Sequence, residues 1–87
     1  MTRYHVVLET PARKQLRAIL DKRVRQPLER AILALGDEPR PPGCLKLVGE
    51  KDQWRIRVGE WRIVNRIDDG RLVVLVVAVA PGGGDYR

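Results

Sequence analysis

The segment WRIRVGEWRIVNRI, at residues 54–67, most constrains the fold, because apolar and polar residues alternate on both sides of one short turn. Alternation with a period of two is typical of strands that bury one face. Gly59 and Glu60 interrupt the alternation, and glycine in the first position suits a type II′ turn between antiparallel strands. The segment therefore predicts a hairpin of two strands, Gln53–Val58 and Trp61–Asp68.

An apolar run, LVVLVVAVA at residues 72–80, follows the hairpin. Its nine residues are fewer than the roughly 20 that a membrane-spanning helix needs, so the run predicts a buried strand at 71–80. Asp69 and Gly70 precede this strand and form the favoured pair for a type I′ turn. A two-residue turn at this point would pair Ile67 with Leu72 across the second hairpin.

A short strand at 4–9 and two helices are predicted before the first hairpin. Thr10 followed by Pro11 is typical of a helix N-cap and a first helical residue. The second helix is expected to begin at 23–26, because Pro27 is tolerated best in a first turn. The helical residues expected to face a sheet are Ala12, Leu16, Ile19, Leu20, Val24, Leu28, Ala31, Ile32 and Leu35.

The proline-rich segment 37–43 leads from the helices into a short extended piece at 44–48. The element order is then β-α-α-β-β-β, which predicts an α+β fold. In this fold an N-terminal strand and a helical hairpin pack on a four-stranded, mostly antiparallel sheet. A chain of 87 residues predicts one domain over 1–87.

The chain carries 17 Lys and Arg against 11 Asp and Glu, a formal charge of +6. This balance favours an anionic partner such as nucleic acid, an acidic protein or an anionic membrane, although a basic solubilising surface has the same composition. One cysteine and one histidine exclude an internal disulfide and a Cys/His metal cluster, so neither a metal nor another cofactor is predicted. No signal peptide or membrane span is recognised, and the cytoplasm is the expected compartment.

Four arginines of the hairpin fall on one face of the predicted sheet: Arg55, Arg57, Arg62 and Arg66. The two-residue turn places Arg57 directly opposite Arg62, and such a like-charged pair destabilises a sheet by up to about 1 kcal/mol. No acidic residue is expected among them, so the partner should supply negative charge, and arginine suits phosphate because its planar fork donates paired hydrogen bonds. An ordinary solvated face is the alternative, but the interleaved valines make this face half apolar.

The helical hairpin and the segment LKLVGEKDQWRIRVGEWRIVNRIDDGRLVVLVVAVA resemble the RelE/ParE superfamily of bacterial type II toxins, and WRIRVGEWRIV with its DDG turn resembles the RelE branch. The resemblance implies a concave sheet against two helices, with the first strand beside the last. It also implies a toxin that enters the ribosomal A site and cleaves mRNA there. A cognate antitoxin would neutralise the toxin and carry it indirectly to operator DNA.

The resemblance also implies the site residues. Arg55, Arg57 and Arg62 match the catalytic basic positions of the family, and Tyr86 matches a catalytic tyrosine by its position near the C-terminus. These arginines would stabilise the scissile phosphate while the 2′-hydroxyl of the mRNA attacks it, without a metal. Further RNA contacts are expected from Arg66, Lys46, Lys51, Arg13, Lys14 and Arg17, although a solvated surface explains the lysines and the helical residues as well.

Two departures from the family pattern leave alternatives open. Asn65 stands where the family commonly has tyrosine, and APGGGD at 80–85 contains neither histidine nor arginine. The leading prediction is a RelE-like mRNA endoribonuclease. The alternatives are a ParE-like toxin that inhibits DNA gyrase and a weakened RelE homologue. A weakened homologue would act through antitoxin binding and operon co-repression, and replacing Gly82 or Gly83 with Arg would then create toxicity.

Overall fold

The structure is a computed structural model that describes residues 3–49 and 52–82. Its elements are β1 (His5–Leu8), α1 (Thr10–Arg17), α2 (Lys22–Ala34), β2 (Leu45–Lys46), β3 (Gln53–Val58), β4 (Trp61–Asp68) and β5 (Val73–Pro81). The strand order is β1-β5-β4-β3-β2, in which β1 is parallel to β5 and the other pairs are antiparallel. The predicted α+β class is confirmed, and the sheet gains a fifth strand because β2 forms within the expected extended piece.

The two helices cover one face of the sheet, which we call the helix face. Strand β5 lies between β1 and β4, and this internal position explains why its sequence is almost continuously apolar. Leu20 was expected in the core but is 86% exposed, because α1 ends at Arg17 and its stripe does not continue. The buried core consists of Ala12, Leu28, Ile32, Leu35, Ile56, Ile63, Ile67, Val74, Val76 and Val79.

Both helices begin earlier than their sequences predict. Thr10 is already helical, and Glu9 occupies the N-cap position without a side-chain capping bond. In α2 the Asp21 carboxylate accepts the backbone N–H of Arg23 at 2.9 Å, so Asp21 caps the helix and α2 starts at Lys22. Pro27 consequently lies in the second turn of α2, where its missing N–H leaves one helical hydrogen bond unmade.

The loop between β4 and β5 has four residues, 69–72, instead of the predicted two. Ile67 therefore faces Val74, and Leu72 lies in the loop with a positive φ of 58°. Because the register moves by two residues, the sheet face of every strand residue near the loop is preserved. Val74 and Val76 accordingly lie in the core, within the strand predicted to be buried.

A β-bulge after Val64 moves the register by a further residue and reverses the faces beyond it. Val79 enters the core as a result. Ala80 faces Arg62 across the two strands, whereas a regular ladder continued from the predicted Ile67–Leu72 pair would place Val77 there. The prediction failed here because a two-residue turn was extended into a regular ladder, whereas the bulge adds one unpaired residue to β5.

Asp69 joins three segments that are distant in the chain. Its carboxylate accepts the Tyr4 hydroxyl at 2.6 Å and both terminal nitrogens of Arg40 at 3.1 and 2.9 Å. The Arg40 guanidinium also lies 4.9 Å from the centre of the Trp54 ring, within the range of a cation–π contact. The four-residue loop holds Asp69 in this position, and we call the three residues Tyr4, Arg40 and Asp69 the carboxylate clasp.

Candidate functional site

The side of the sheet away from the helices carries the four hairpin arginines, and we call it the arginine face. Arg57 pairs directly with Arg62, and Arg55 pairs with Val64, so the predicted register of the β3–β4 hairpin is confirmed. Directly opposed residues of an antiparallel pair share a face, and residues two apart on a strand lie about 7 Å from each other. The prediction that Arg55, Arg57 and Arg62 share one surface is therefore confirmed, whereas their role remains a prediction.

The β3–β4 turn supports this group of arginines. The Nε of Arg57 donates to the carbonyl oxygen of Gly59 at 3.2 Å, which holds the guanidinium stem over the turn. Arg57 is exposed and Arg62 is half-buried, so both remain at the surface. Gly59 has a positive φ of 61°, as expected of glycine in the first position of a type II′ turn. A local turn thus places two guanidinium groups on neighbouring strands.

The neighbouring strand presents small side chains to these arginines. Ala78 faces Val64, and Ala80 faces Arg62. A regular ladder that continues the predicted Ile67–Leu72 pair would place the larger residues Leu75 and Val77 at these positions. Because the longer loop and the bulge together move the register by three residues, alanines occupy these positions and the surface beside Arg62 is lower than the sequence indicated.

Arg66 lies on the arginine face at the other end of β4, in different surroundings. It pairs with Gln53 on one side and Leu75 on the other. An open groove of about 620 Å³ adjoins it, lined by Asp52, Arg66, Ile67, Asp68, Asp69, Arg71, Val73 and Leu75. The expectation that no acidic residue accompanies the arginines is therefore wrong at this end, since Asp68 shares the face, although it is bound by Arg71 at 3.8 Å.

The other described residues that were predicted to contact RNA do not lie on the arginine face. Lys46 pairs with Trp54, so it lies on the helix face, with its amino group 6.0 Å from the Trp54 ring centre. The basic residues of α1 are exposed on the helical layer, on the other side of the sheet from the arginine face: Arg13, Lys14 and Arg17. Lys51 and Tyr86 lie outside the described residues.

Asn65 is fully buried on the helix face, opposite Trp54 and Val76. Asn65, the first departure from the family pattern, therefore has its side chain on the face away from the arginines. Trp54 and Trp61 both pack against the core.

Sequence reasoning considered Gly82 only as a position for an added arginine and overlooked its contact with Arg62, just beyond β5. The glycine-rich tail signalled a departure from the family pattern, but this contact depends on the bulge in the β4–β5 ladder. Within residues 3–49 and 52–82, no three His, Cys, Asp or Glu side chains are grouped so that they could hold a metal ion. No helix in this part of the chain is long and apolar enough to cross a bilayer.

Solved structures define the class of protein to which this fold belongs. The RelE–RelB complex from Pyrococcus horikoshii is 26% identical, with a TM-score of 0.81 over 97% of this chain and 99% of that chain. The toxin–antitoxin complex RelBE2 from Mycobacterium tuberculosis is 28% identical, with a TM-score of 0.80 over 93% of each chain. The isolated RelE toxin of Escherichia coli is 26% identical, with a TM-score of 0.78 over 95% and 88%. The fold is RelE-like.

The family follows from the sequence. A profile described as "ParE toxin of type II toxin-antitoxin system, parDE" matches residues 6–86. The chain therefore belongs to the toxins of type II toxin–antitoxin systems, within the RelE/ParE superfamily. No curated protein matches it in sequence.

Proposed function

We propose that this toxin is a RelE-type, ribosome-dependent mRNA endoribonuclease. The observation that carries the proposal is the directly opposed pair Arg57 and Arg62, with Arg55 next to it on the same face. An anion that binds both guanidinium groups would lower the repulsion between such opposed residues. The similarity to RelE toxins at 26–28% identity supports the same branch.

The proposed reaction is an internal transfer of the phosphodiester. The 2′-oxygen of the mRNA forms a bond to phosphorus, and the bond from phosphorus to the 5′-oxygen breaks. The 2′-hydroxyl loses a proton and the 5′-oxygen gains one, which leaves a 2′,3′-cyclic phosphate and a 5′-hydroxyl end. Arg55, Arg57 and Arg62 would donate hydrogen bonds to the phosphate oxygens, where charge increases in the transition state.

Proton transfer requires a different kind of residue. Arginine side chains remain protonated across the physiological range and therefore suit charge stabilisation better than general base catalysis. Tyr86 is the residue proposed to take part in proton transfer or to stack on a base of the mRNA.

Translating ribosomes charged with a defined mRNA provide the test. The purified toxin should cut the mRNA, and primer extension should map the cut to the codon in the A site. Arg62→Ala should lower the rate about 10²–10³-fold, because it removes a charge that stabilises the transition state. Arg30→Ala, at an exposed position of α2, is the matched control and should cleave like the parent. Equal activity of Arg62→Ala and the parent would refute the site assignment.

A gyrase-inhibiting toxin is the second candidate, and the description of the matching family profile favours it. A supercoiling assay with purified gyrase tests this candidate. If the toxin inhibits gyrase and cleaves no mRNA, gyrase inhibition replaces mRNA cleavage as the proposed function. If neither activity is found and antitoxin binding persists, the chain is a weakened homologue.

We infer that the partner of the toxin is a cognate antitoxin, since three similar toxins were solved with RelB antitoxins. Its surface should be acidic where it meets the arginine face, because the chain has a formal charge of +6. Added salt should then weaken the complex, and an affinity that does not respond to salt would contradict this charge complementarity.

A further inference from the structure

Gly82 adjoins the side chain of Arg62 at the end of β5. A Cβ atom added to Gly82 would lie 3.1 Å from Cδ, 3.2 Å from Cγ and 3.3 Å from Cβ of Arg62. These separations are shorter than ordinary van der Waals contacts between carbon atoms, which lie at about 3.5–4.0 Å. Gly82 is itself buried, so the stem of Arg62 rests directly on the backbone at this position.

The backbone conformation does not explain the glycine. Gly82 has no φ in the left-handed region, in contrast to Gly43, Gly49 and Gly59. The φ of Gly82 therefore does not itself require glycine. What excludes a side chain at this position is the stem of Arg62.

The β3–β4 turn holds both participants in place. The N–H of Gly82 donates to the carbonyl oxygen of Glu60 at 2.8 Å, and the Nε of Arg57 donates to the preceding carbonyl, that of Gly59, at 3.2 Å. Two consecutive carbonyls of one turn therefore anchor Arg57 and the backbone on which Arg62 rests. The positions of Arg57 and Arg62 therefore both depend on the β3–β4 turn.

Holding the side chains of Arg57 and Arg62 in fixed positions would favour the proposed reaction. Two guanidinium groups on directly opposed residues repel each other and would separate if their stems were free to choose other rotamers. Catalysis by fixed charges depends on groups that are in place before the transition state forms. A displacement of about 1 Å at such a site costs roughly 10²-fold in rate.

We propose that Gly82 is a positioning residue, whose lack of a side chain sets the path of the Arg62 stem across the arginine face. The inference rests on the proposed function, since it concerns the phosphate contact of Arg62. It also changes one test of the weakened-homologue alternative, because an arginine at position 82 would displace Arg62 as well as add a charge. Gly82 is therefore an unsuitable position for a gain-of-toxicity substitution.

The first experiment compares two Gly→Ala variants in the ribosomal cleavage assay. Gly82→Ala should reduce kcat about 10-fold with little change in KM, because the stem of Arg62 must move by a few tenths of an ångström. Gly70→Ala is the matched control, since its Cβ would meet only the Asp68 carboxylate, at an ordinary 3.5 Å. Gly70→Ala should unfold at or above the parental urea midpoint, because alanine restricts the unfolded chain, and in Gly82→Ala this gain should offset the tight contact with Arg62, so that the midpoint stays close to the parental value.

The second experiment asks whether Gly82 acts through Arg62. In an Arg62→Ala background, Gly82→Ala should change the residual rate less than twofold, because the side chain that it displaces is gone. A full 10-fold loss in that background would overturn the inference.

An NMR measurement that does not depend on activity separates this inference from the proposed function. The side-chain Nε–H resonance of Arg62, identified by its loss in Arg62→Ala, should shift in Gly82→Ala and not in Gly70→Ala. If the parent toxin cleaves no mRNA but this resonance shifts, the proposed function fails and the positioning contact stands. If the resonance is unchanged, or if Gly82→Ala cleaves at the parental rate, the inference is wrong.

Discussion

Asn65 is fully buried, and neither polar atom of its side chain has a hydrogen-bond partner among the described residues. A buried polar group in this state costs about 1–3 kcal/mol relative to a satisfied one. The bulge after Val64 places this amide at an irregular point of the ladder, between the ring of Trp54 and the side chain of Val76. At the scale of single residues, the unsatisfied amide of Asn65 is therefore expected to lower the stability of the folded core.

Replacing Asn65 with valine should raise the free energy of unfolding by about 1–2 kcal/mol, because the unsatisfied amide is removed and valine favours strands. Urea unfolding monitored by tryptophan fluorescence measures the change. Asn65→Asp, with nearly the same shape, is the control and should destabilise strongly, since it buries a carboxylate. A valine variant that is less stable than the parent would show that the amide has a partner.

At the scale of secondary-structure elements, the contact between α1 and β5 shows how the edge of β5 beyond β1 is covered. β1 pairs only with the first part of β5, and the last bond of this ladder is donated by Glu9 to Val76 at 2.9 Å. Beyond that point, the N–H of Val79 donates to the side-chain oxygen of Gln15 at 2.7 Å. A helix side chain thus replaces the missing strand and satisfies the exposed edge of β5.

Gln15→Ala should therefore lower the free energy of unfolding by about 1 kcal/mol, because the Val79 amide loses its acceptor in a partly buried position. Gln15→Glu keeps an acceptor oxygen at the same reach and should remain close to the parent. Chemical denaturation of the three proteins side by side measures the difference. Equal losses in the alanine and glutamate variants would show that the bond to Val79 contributes nothing.

The carboxylate clasp operates at the scale of the whole molecule, because it ties the N-terminal strand, the segment after α2 and the β4–β5 loop together. The hydrogen bonds from Arg40, and then from Tyr4, lower the pKa of the Asp69 carboxyl from its usual value. The hydrogen bond to Asp69 raises the pKa of the Tyr4 hydroxyl. The clasp is therefore complete only while Asp69 is ionised and Tyr4 is protonated.

The two pKa shifts predict how stability depends on pH. A lowered carboxyl pKa adds stability that is present above about pH 4 and is lost as the pH falls through the folded-state value. A raised tyrosine pKa adds stability that is present below about pH 10 and is lost as the pH rises further. Denaturation midpoints between pH 2 and 11 should therefore fall at both ends.

Matched variants assign each end of this pH profile. Asp69→Asn should flatten the acid limb, and Tyr4→Phe should flatten the alkaline limb while the acid limb persists. An acid limb of the same steepness in Asp69→Asn and the parent would exclude the clasp as its source.

Local patterns explain which parts of the fold and the site could be predicted. The β3–β4 hairpin was predicted in register, because a two-residue turn with glycine first specifies the pairing of the strands that flank it. That pairing alone places Arg57 opposite Arg62. The β4–β5 hairpin was predicted out of register, because Asp69 binds Tyr4 and Arg40, which are distant in sequence, and no local pattern indicates such contacts.

The sequence by itself determined the α+β element order, the helix and arginine faces of the hairpin and the resemblance to the RelE/ParE toxins. Period-two alternation, turn residues and composition can be recognised in the sequence without knowledge of any tertiary contact. Only the tertiary structure decided that the side chain of Asn65 is buried without a hydrogen-bond partner among the described residues, that Lys46 lies away from the arginines and that Gly82 supports Arg62. Each of these depends on the bulge or on contacts between distant strands, and packing decides such features, not the residues beside them.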